Sequence, residues 1–478
     1  MIILQIFGVF VLLLLLCLAA AILRTLSMKS KISTYRPQRG SGREQLYAEK
    51  LSRMIQCRTV SVPNQNDLAE FDKLHKLFEE IFPNLHRYCE KIDLDGNLLY
   101  KWKGSSSEHP ILLMSHQDVV EANGEWKHAP FSGDIAEDRV WGRGSCDTKC
   151  SLMALLQAAE ELIAEGFVPA CDVYLSSSRT EEIGGDGAPK IVRYLKEQGV
   201  RLAMVCDEGG ALTADPLPGV KGYFAMVGVF EKGNCHVKYT ARSAGGHASA
   251  PPKNTPLARL AAFVNEIEKK RPFQIKFTKE VRQMFLRLAP YCSFPLKLVF
   301  GNLWLFEPLL KKLLPSISPQ AAAMLQSTMV FTMAKASESF NVIPAIASVE
   351  GNLRSIPHQN TEQSLLLLAD IAKRYQIEQS VIQRSDPSPV LDLSGRAFQV
   401  TEQAIAEIFK GSDCIPYVVT GATDARFYHE ISDACVRFSP VLYDPQQLKS
   451  MHGLNENVYT YALPPAVDYY KYIVKAQQ

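Results

Sequence analysis

The sequence predicts an α/β fold with a mostly parallel sheet, interrupted by a second α/β domain and preceded by an apolar segment. Apolar runs of strand length alternate with helical patterns of period 3.6, which is typical of βαβ units. At 478 residues the chain is too long for one ordinary core. The pattern changes near residue 232 and returns near 387, so we predict an anchor over 1–24, a linker over 25–44, a larger domain over 45–231 and 387–478, and an inserted domain over 232–386.

The first segment, Ile2–Leu23, is apolar throughout except for Gln5 and Gly8. As a helix it would be about 33 Å long, enough to cross the hydrocarbon core of a bilayer. A cleaved signal peptide is the alternative. No positive charge precedes the run, however, and it is longer than a typical signal-peptide core, so we predict an uncleaved single-pass anchor.

Charge predicts the orientation of that anchor and excludes some partners. No acidic residue precedes Glu44, so the positive-inside rule predicts a cytoplasmic-facing body. The 52 Lys and Arg nearly balance the 50 Asp and Glu, which gives no basic field for nucleic acid. The eleven cysteines show no disulfide pattern. The basic residues that follow the apolar run are Arg24, Lys29, Lys31, Arg36, Arg39 and Arg43.

Hydrophobic periodicity predicts the elements of the larger domain in order. The Asp95-Gly96 dipeptide predicts a tight turn inside a hairpin. The predicted helices are Gln45–Ile55, Phe71–Ile81, Leu152–Ile163, Ala188–Gln198, Arg396–Phe409 and Ala466–Lys475, and the strands and hairpin are Asp93–Lys103, Ile111–Met114, Val173–Leu175, Leu202–Cys206 and Tyr417–Val419.

The inserted domain has alternating strands and two long helices. Its residues 274–329 are rich in Leu, Phe and Pro. They predict either a helical insertion that buries its own core, or an apolar wall for a greasy substrate or a dimer contact. The predicted elements at or within this domain are Tyr223–Val229, Val237–Thr240, Pro256–Lys269, Ser348–Ser355, Thr361–Tyr375 and Ile377–Arg384.

Acids and imidazoles follow several predicted strands and recur later in the chain. The carboxyl ends of strands in an open α/β sheet are where ligands bind. Two imidazoles and several carboxylates without a cysteine cluster suit zinc in a hydrolytic site, and two ions sharing a bridging carboxylate would use six positions without crowding. Taken singly, each residue also has an ordinary structural interpretation. The candidates are His116, Asp147, Glu181, Glu182, Asp207 and His452.

An ordered set of motifs resembles the two-zinc aminoacylase and carboxypeptidase superfamily, particularly its carboxypeptidase S and N-acyl-amino-acid hydrolase branch. The resemblance extends from about residue 45 to the end. The motifs are Ser115-His-Gln-Asp-Val-Val120, Trp141-Gly-Arg-Gly-Ser-Cys-Asp-Thr-Lys149, Glu181-Glu182, Asp207-Glu-Gly-Gly210, Gly245-Gly-His-Ala-Ser249 and Asn341-Val-Ile-Pro344.

The resemblance implies a role for each metal-site residue. His116 and Asp207 would hold one zinc, Glu182 and His452 the other, and Asp147 would bridge them. Cobalt and manganese fit similar ligands. It also implies a cis peptide after Asp147.

Further roles implied by the resemblance concern proton transfer, positioning and substrate binding. Glu181 would be the general base, and Asp118 would fix the His116 imidazole. The inserted domain would be a lid and dimerisation domain, from which His247 would reach a neighbouring subunit's active site. Asn341 and Arg354, with the backbone near Gly421, would bind the substrate's carboxylate.

The sequence therefore predicts a membrane-anchored, zinc-dependent hydrolase of a peptide or N-acyl amide bond next to a free-carboxylate amino acid. The predicted substrate is a short peptide or an N-acyl amino acid, and the predicted assembly is a homodimer. Two enzymes remain open, a carboxypeptidase and an N-acyl-amino-acid hydrolase. The alternative from another class is a non-catalytic zinc- or peptide-binding relative.

Overall fold

A computed structural model describes residues 2–64 and 67–477 of the chain. The N-terminal half of the larger unit alternates helices and strands as predicted. Its elements are α1 (Ile2–Ser27), α2 (Glu44–Ile55), α3 (Ala69–Ile81), α4 (Pro83–Tyr88), β1 (Glu90–Leu94), β2 (Asn97–Trp102), β3 (Ser106–Met114), β4 (Ile135–Ala136), β5 (Arg139–Trp141), α5 (Lys149–Ala164), β6 (Cys171–Ser177), α6 (Gly187–Glu197), β7 (Met204–Ala214) and β8 (Tyr223–Glu231).

The middle of the chain forms a second sheet and a group of helices. These elements are β9 (Asn234–Arg242), β10 (Gly246–His247), α7 (Pro256–Lys270), α8 (Lys279–Leu288), α9 (Phe294–Gly301), α10 (Leu303–Ile317), α11 (Pro319–Leu325), β11 (Thr328–Lys335), β12 (Val342–Ile343), β13 (Ile346–Arg354), α12 (Thr361–Arg374) and β14 (Ile377–Ser385). A short 3₁₀ turn, Ala289–Tyr291, separates α8 from α9.

The last part of the chain returns to the larger unit. It adds α13 (Arg396–Ile408), β15 (Asp413–Val419), α14 (Ala425–Tyr428), β16 (Cys435–Tyr443), α15 (Pro445–Ser450), β17 (Asn457–Tyr459) and α16 (Leu463–Lys475), with a 3₁₀ turn at Thr460–Ala462. The terminal helix α16 packs against α5 and against α2, so the last helix of the larger unit contacts its first one.

The main sheet is mixed, which corrects the prediction of a mostly parallel sheet. Its eight strands lie in the order β1-β2-β6-β3-β7-β16-β8-β15. The β6-β3, β3-β7, β7-β16 and β8-β15 pairs are parallel. The β1-β2 and β2-β6 pairs are antiparallel because a hairpin forms that edge, and β8 runs antiparallel to both β7 and β16. The central parallel strands nevertheless bring their carboxyl ends to one edge.

A second, four-stranded antiparallel sheet has a hydrophobic core of its own. Its order is β11-β13-β9-β14, and α7 and α12 cover it with residues such as Leu260, Phe263 and Leu368. The capping box at Asn360 starts α12. This unit matches the predicted alternation of strands with two long helices.

The apolar stretch 274–329 is helical, as predicted, but it does not form a core of its own. Buried side chains of α8, among them Val281, Met284 and Phe285, belong to the hydrophobic core of the larger unit. Helix α8 packs along β15, and Arg287 donates to the carbonyl of Cys414 at 3.0 Å. These helices are therefore part of the larger unit by packing.

Helix α1 contains the predicted apolar span. Residues Gln5–Ser27 are long and apolar enough to cross a membrane, and a signal sequence would pass the same test. Residues Leu12–Leu16 expose more than half of each side chain.

Candidate metal centre and active site

The predicted site residues come from separate strand ends and loops. His116 follows β3, Glu181 and Glu182 follow β6, and Asp147 lies just before α5. His452 occupies the loop between α15 and β17 with φ of +56°, a left-handed conformation uncommon outside glycine. Non-glycine residues held there cluster at functional sites.

Two groups of potential metal ligands share Asp147. In the first, His116 Nε2 lies 3.1 Å from Asp147 Oδ1 and 3.4 Å from Glu208 Oε1. In the second, His452 Nε2 lies 3.0 Å from Asp147 Oδ2 and 3.1 Å from Glu182 Oε2. One Asp147 carboxylate oxygen therefore faces each group, which is the geometry of a bridging ligand.

Asp207, predicted as a ligand, is not brought to His116. Its carboxylate instead accepts backbone N–H groups, from Glu208 at 2.8 Å and from Ala425 at 2.8 Å. Glu208 takes the place next to the imidazole. The physical reason is the pleat of β7, because successive side chains on a strand point to opposite faces.

Asp118 contacts three parts of the site, the His116 ring, the Glu181–Glu182 backbone and Ser61. Its backbone carbonyl lies 2.9 Å from His116 Nδ1 and its Oδ1 lies 3.3 Å from the same nitrogen. It also accepts the backbone N–H groups of Glu181 at 3.3 Å and Glu182 at 3.1 Å. Ser61 Oγ donates to it at 2.6 Å. The Nδ1 contacts favour a proton on Nδ1, which leaves Nε2 free to bind a metal.

Glu181 directly precedes Glu182, interacts electrostatically with His116 and Glu208, and belongs to neither ligand group. Burial, together with the negative charges of Asp424, Glu208 and Asp118, raises the pKa of Glu181 well above its usual range, although the charge of His116 opposes the rise. A carboxyl group that has a raised pKa and is not a metal ligand has the properties of a general base near neutral pH.

The donor set fits two divalent cations. Among the described residues, Glu182 Oε1 is a buried oxygen without a hydrogen-bond partner. Burial and the charge of Asp147 raise the pKa of Glu208 to about 8, and burial also raises the pKa of Glu182. A bound cation would offset the electrostatic repulsion between these neighbouring carboxylates. Mixed imidazole and carboxylate ligands suit zinc.

A buried ion pair that the sequence analysis does not predict holds the backbone at Asp147 in place. Glu456 Oε1 accepts the backbone N–H groups of Cys146 at 2.8 Å and Asp147 at 3.0 Å. Its Oε2 lies 2.6 Å from Arg143 Nη1, and both side chains are buried. Glu456 follows His452 by four residues, so one short segment carries both a candidate ligand and the support of the shared carboxylate. The Asp147–Thr148 peptide is cis, as the resemblance implies.

The predicted substrate-binding residue Arg354 lies at the end of β13, with one guanidinium nitrogen buried and, among the described residues, unpaired. Burial and the nearby charge of Arg426 lower the pKa of Arg354. The loop before α14 contains Gly421, which has open space around its Cα. Arg426 was not among the predicted site residues, although the acidic and basic residues after β15 would have been the signal.

His247 and Asn341 lie together on the second unit. His247 pairs with Val342 across β10 and β12, and the backbone of Ala248 donates to the Asn341 carbonyl at 2.9 Å. The His247 ring contacts Ser249, and its side chain is exposed. Within the described part of this chain, the hydrogen bonds of the metal-ligand groups do not include either residue.

Comparison with known proteins agrees with this geometry. Residues 112–476 match the peptidase family M20/M25/M40. The human protein named N-fatty-acyl-amino acid synthase/hydrolase PM20D1 is 34% identical over 86% of this chain and 83% of its own length. A Dictyostelium discoideum protein named probable carboxypeptidase S-like 2 is 31% identical over 90% and 84%, and carboxypeptidase S of Saccharomyces cerevisiae is 29% identical over the same two shares.

Solved structures share the fold. An M20 family metallo-carboxypeptidase from Sulfolobus solfataricus superposes with a TM-score of 0.67 at 18% identity, over 90% of this chain and 98% of that one. A Bacillus subtilis protein described as a dinuclear metal-binding peptidase from the M20 family gives 0.56 at 14% identity, over 91% and 99%. The chain is a hydrolytic enzyme and belongs to peptidase family M20/M25/M40.

Proposed function

We propose that this enzyme uses two zinc ions to cleave a peptide or N-acyl amide bond next to an amino acid with a free carboxylate. The observation that carries the proposal is the pair of ligand groups sharing Asp147, together with the carboxyl of Glu181, which belongs to neither group and interacts electrostatically with His116 and Glu208. A site for a single ion would not require the two carboxylate oxygens of Asp147 to lie in two different ligand groups.

The metal ligands in this proposal are divided between two ions. His116, Asp147 and Glu208 would hold one, and Asp147, Glu182 and His452 the other. When bound, the ions would polarise the scissile carbonyl and lower the pKa of a water molecule. Cobalt and manganese suit similar ligands, so the choice of zinc is itself part of the proposal.

The chain's own residues would do the remaining chemistry. Glu181 takes a proton from the attacking water and passes it to the leaving amine. Asp118 keeps the His116 ring and the Glu181 backbone in place for that transfer. Arg354 binds the substrate carboxylate, because a guanidinium can donate two parallel hydrogen bonds to it. Asn341 and the backbone near Gly421 complete this binding site.

Two substrate classes fit this site. Relatives named as N-fatty-acyl-amino acid hydrolases favour an N-acyl amino acid, and relatives named as carboxypeptidase S favour a short peptide. A non-catalytic binding relative is disfavoured, since a binding protein would not need the free carboxyl of Glu181 among the ligands.

We also propose that residues 232–386 form a lid and dimerisation domain, and that 45–231 and 387–478 form the catalytic domain. Helices of the 274–329 stretch are the exception, because they pack on the larger core. His247 would act in the partner's active site. Exposed apolar side chains near it, Phe340, Val342 and Ile346, support a covering partner subunit.

We further propose that α1 is a retained single-pass anchor, followed by a linker that includes Ser33 and Tyr35. Both residues are buried against the body. Ser33 Oγ donates to the Tyr223 carbonyl at 3.0 Å. Such packing is expected of a segment that stays with the mature protein, and the basic residues after α1 favour a cytoplasmic-facing body.

A substrate panel with metal-reconstituted full-length enzyme tests the proposed function. The panel contains dipeptides, N-acyl amino acids of increasing acyl length, and the matching amides that lack the free carboxylate. We expect hydrolysis only where the carboxylate is present and where Glu181 is intact. Equal turnover of the carboxylate and amide forms would contradict the proposal, and preference within the panel separates the two substrate classes.

A further inference from the structure

The loop between β15 and α14 carries backbone donors at the proposed carboxylate site. Gly421 is exposed, and nothing beyond its chain neighbours lies within 4 Å of the position that a Cβ would take. Among the described residues, the N–H groups of Gly421 and Ala422 donate no hydrogen bond. Successive free N–H groups in a loop are suited to an anion. Holding such a loop in one conformation before the substrate binds raises affinity, because less ordering is then needed on binding.

Glu231, the last residue of β8, holds this loop through Thr423. Its Oε2 accepts the backbone N–H of Thr423 at 2.8 Å and the Thr423 hydroxyl at 2.9 Å. The same oxygen accepts Arg437 Nε at 3.2 Å. Glu231 and Arg437 are 1% and 0% exposed, and Thr423 is buried. Glu231 thus takes the N–H of Thr423, while the two preceding N–H groups of the loop stay free for a ligand.

Glu231 also lies where the second unit joins the larger one. Two residues later, Gly233 exchanges backbone hydrogen bonds with Ser355 at 3.0 and 3.2 Å. Ser355 directly follows Arg354, the guanidinium proposed to bind the substrate carboxylate. Burial and the charge of Arg426 lower the pKa of Arg354, and the charge of Glu231 opposes that lowering. Glu231 therefore interacts with both parts of the proposed carboxylate site.

The same loop is fixed on the side of the metal centre. Asp424 accepts the hydroxyl of Ser178, which lies three residues before Glu181. The backbone N–H of Ala425 donates to Asp207 at 2.8 Å. Three successive residues from 423 to 425 are thus held by buried polar side chains. The contact with Glu231 is the one that links the loop to the segment of Arg354.

We propose that Glu231 is a positioning residue for the substrate carboxylate. It holds the backbone of residues 421–423 through Thr423 and lies at the junction with the segment that carries Arg354. A carboxylate at this place would repel the substrate carboxylate unless its charge were compensated, and the buried Arg437 provides that compensation. The inference rests on the proposed function and deepens it, since Glu231 acts through the loop and not on the reacting atoms.

Glu231→Asp tests the proposal on the full-length, metal-loaded enzyme. The change keeps the charge beside Arg437 but withdraws the carboxylate from Thr423 by one methylene. The substrate is the member of the panel described above that wild type hydrolyses best. We expect KM to rise at least about tenfold while kcat stays within about twofold of wild type, because binding is disturbed and the chemistry is not. Metal content should stay as in wild type.

The matched control is Glu160→Asp. Glu160 is also a buried glutamate that accepts three donors, the N–H of Asn84 at 3.1 Å, the Asn84 side-chain amide at 2.8 Å and the N–H of Leu85 at 2.8 Å. These donors lie in the first turn of α4, which supplies none of the proposed site residues. Glu160→Asp should therefore leave both KM and kcat at their wild-type values.

Two variants of Thr423 carry the test if Glu231→Asp does not fold. Thr423→Val removes only the hydroxyl that donates to Glu231, and KM should rise about threefold through loss of that hydrogen bond. Thr423→Ser, the conservative variant, should bring KM back to the wild-type value. Thr423→Val combined with Glu231→Asp should raise KM no further than Glu231→Asp alone, since both changes act through one contact.

Two inhibitors separate the carboxylate site from the metal centre. The amino acid released from the substrate carries the carboxylate, whereas acetohydroxamate binds metal ions and has none. In Glu231→Asp the inhibition constant of the amino acid should rise at least about tenfold, and that of acetohydroxamate should stay within about twofold. Equal weakening of both inhibitors would overturn the positioning role in favour of a general structural one.

The outcomes keep this inference apart from the proposed function. Wild type that hydrolyses the carboxylate and amide forms equally would contradict the proposed function, and this inference with it. Wild type that requires the carboxylate, while Glu231→Asp and Thr423→Val keep its KM, would overturn the inference alone. A lower kcat with unchanged KM in Glu231→Asp would also overturn it, because the effect would then lie with the reacting atoms.

Discussion

The buried Arg143–Glu456 pair offers the sharpest test of how the chain holds its shared carboxylate. Glu456→Gln removes the charge while keeping the size of the side chain. The new amide can still accept the N–H groups of Cys146 and Asp147, but the guanidinium at 2.6 Å loses its counter-charge. Breaking one partner of a buried ion pair costs about 3–5 kcal/mol of unfolding free energy, because the other charge stays buried and uncompensated.

The control is an ion pair of similar length on the surface. Lys196 and Glu430 lie 2.9 Å apart with side chains 61% and 60% exposed. Glu430→Gln should cost under about 1 kcal/mol, since exposed pairs contribute little. Both variants are compared with wild type by urea unfolding of the metal-free protein in the same detergent, followed by tryptophan fluorescence.

A double-mutant cycle completes the design. Arg143→Met combined with Glu456→Gln should be less destabilised than the sum of the single changes, because no charge then remains unpaired. Recovery should be partial, since Arg143 also donates to the Gly453 carbonyl at 2.9 Å. Additive losses, or a Glu456→Gln cost no larger than that of Glu430→Gln, would refute the reasoning.

Three further predictions concern catalysis. Glu181→Gln should keep both metals and lower kcat by about 10²–10⁴-fold, because the proton acceptor is lost; undiminished turnover would rule out that role. His247→Ala should lower turnover without changing the metal content. If the active site is shared between subunits, mixing this variant with Glu181→Gln protein should restore activity. Absence of restored activity would argue against a shared site. Arg354→Lys should lower kcat/KM by about 10–100-fold through loss of bidentate binding, with the exposed Arg384→Lys as a control that stays at the wild-type value.

Periodicity and strand-end chemistry predicted much of the fold. The hairpin, the βαβ units and the second sheet follow from local patterns, which the structure confirms. The meeting of Asp147 with the distant His452 was predicted from motif order, and the two lie 3.0 Å apart.

Strand β16 was missed because its pattern gives no local signal. All nine of its residues are buried, so polar and apolar residues do not alternate along it. It also contains a proline and Arg437, which argue against a central strand. Arg437 is compensated by Glu231 at 3.2 Å, a residue from a remote part of the sequence. Only the tertiary structure supplies that partner.

The acid that the structure places next to His116 differs by one residue from the predicted one, for a related reason. Asp207 and Glu208 are adjacent acids on β7, and the sequence does not say which of them faces the site. A shift of one residue reverses the face of every side chain on a strand. The register is set by pairing with β3 and β16, which join Cys206 to Leu113 and Asp207 to Arg437.

Metal stoichiometry of four variants tests the central claim, two ions held by two groups that share Asp147. Full-length protein is loaded with zinc, separated from free metal and assayed for zinc per chain. We expect two ions in wild type and in Asp207→Asn, one tightly held ion in Glu208→Gln and one in Glu182→Gln, and neither in Asp147→Ala. Two ions in Glu208→Gln together with one in Asp207→Asn would contradict the assignment, and unchanged stoichiometry in Asp147→Ala would contradict the shared carboxylate.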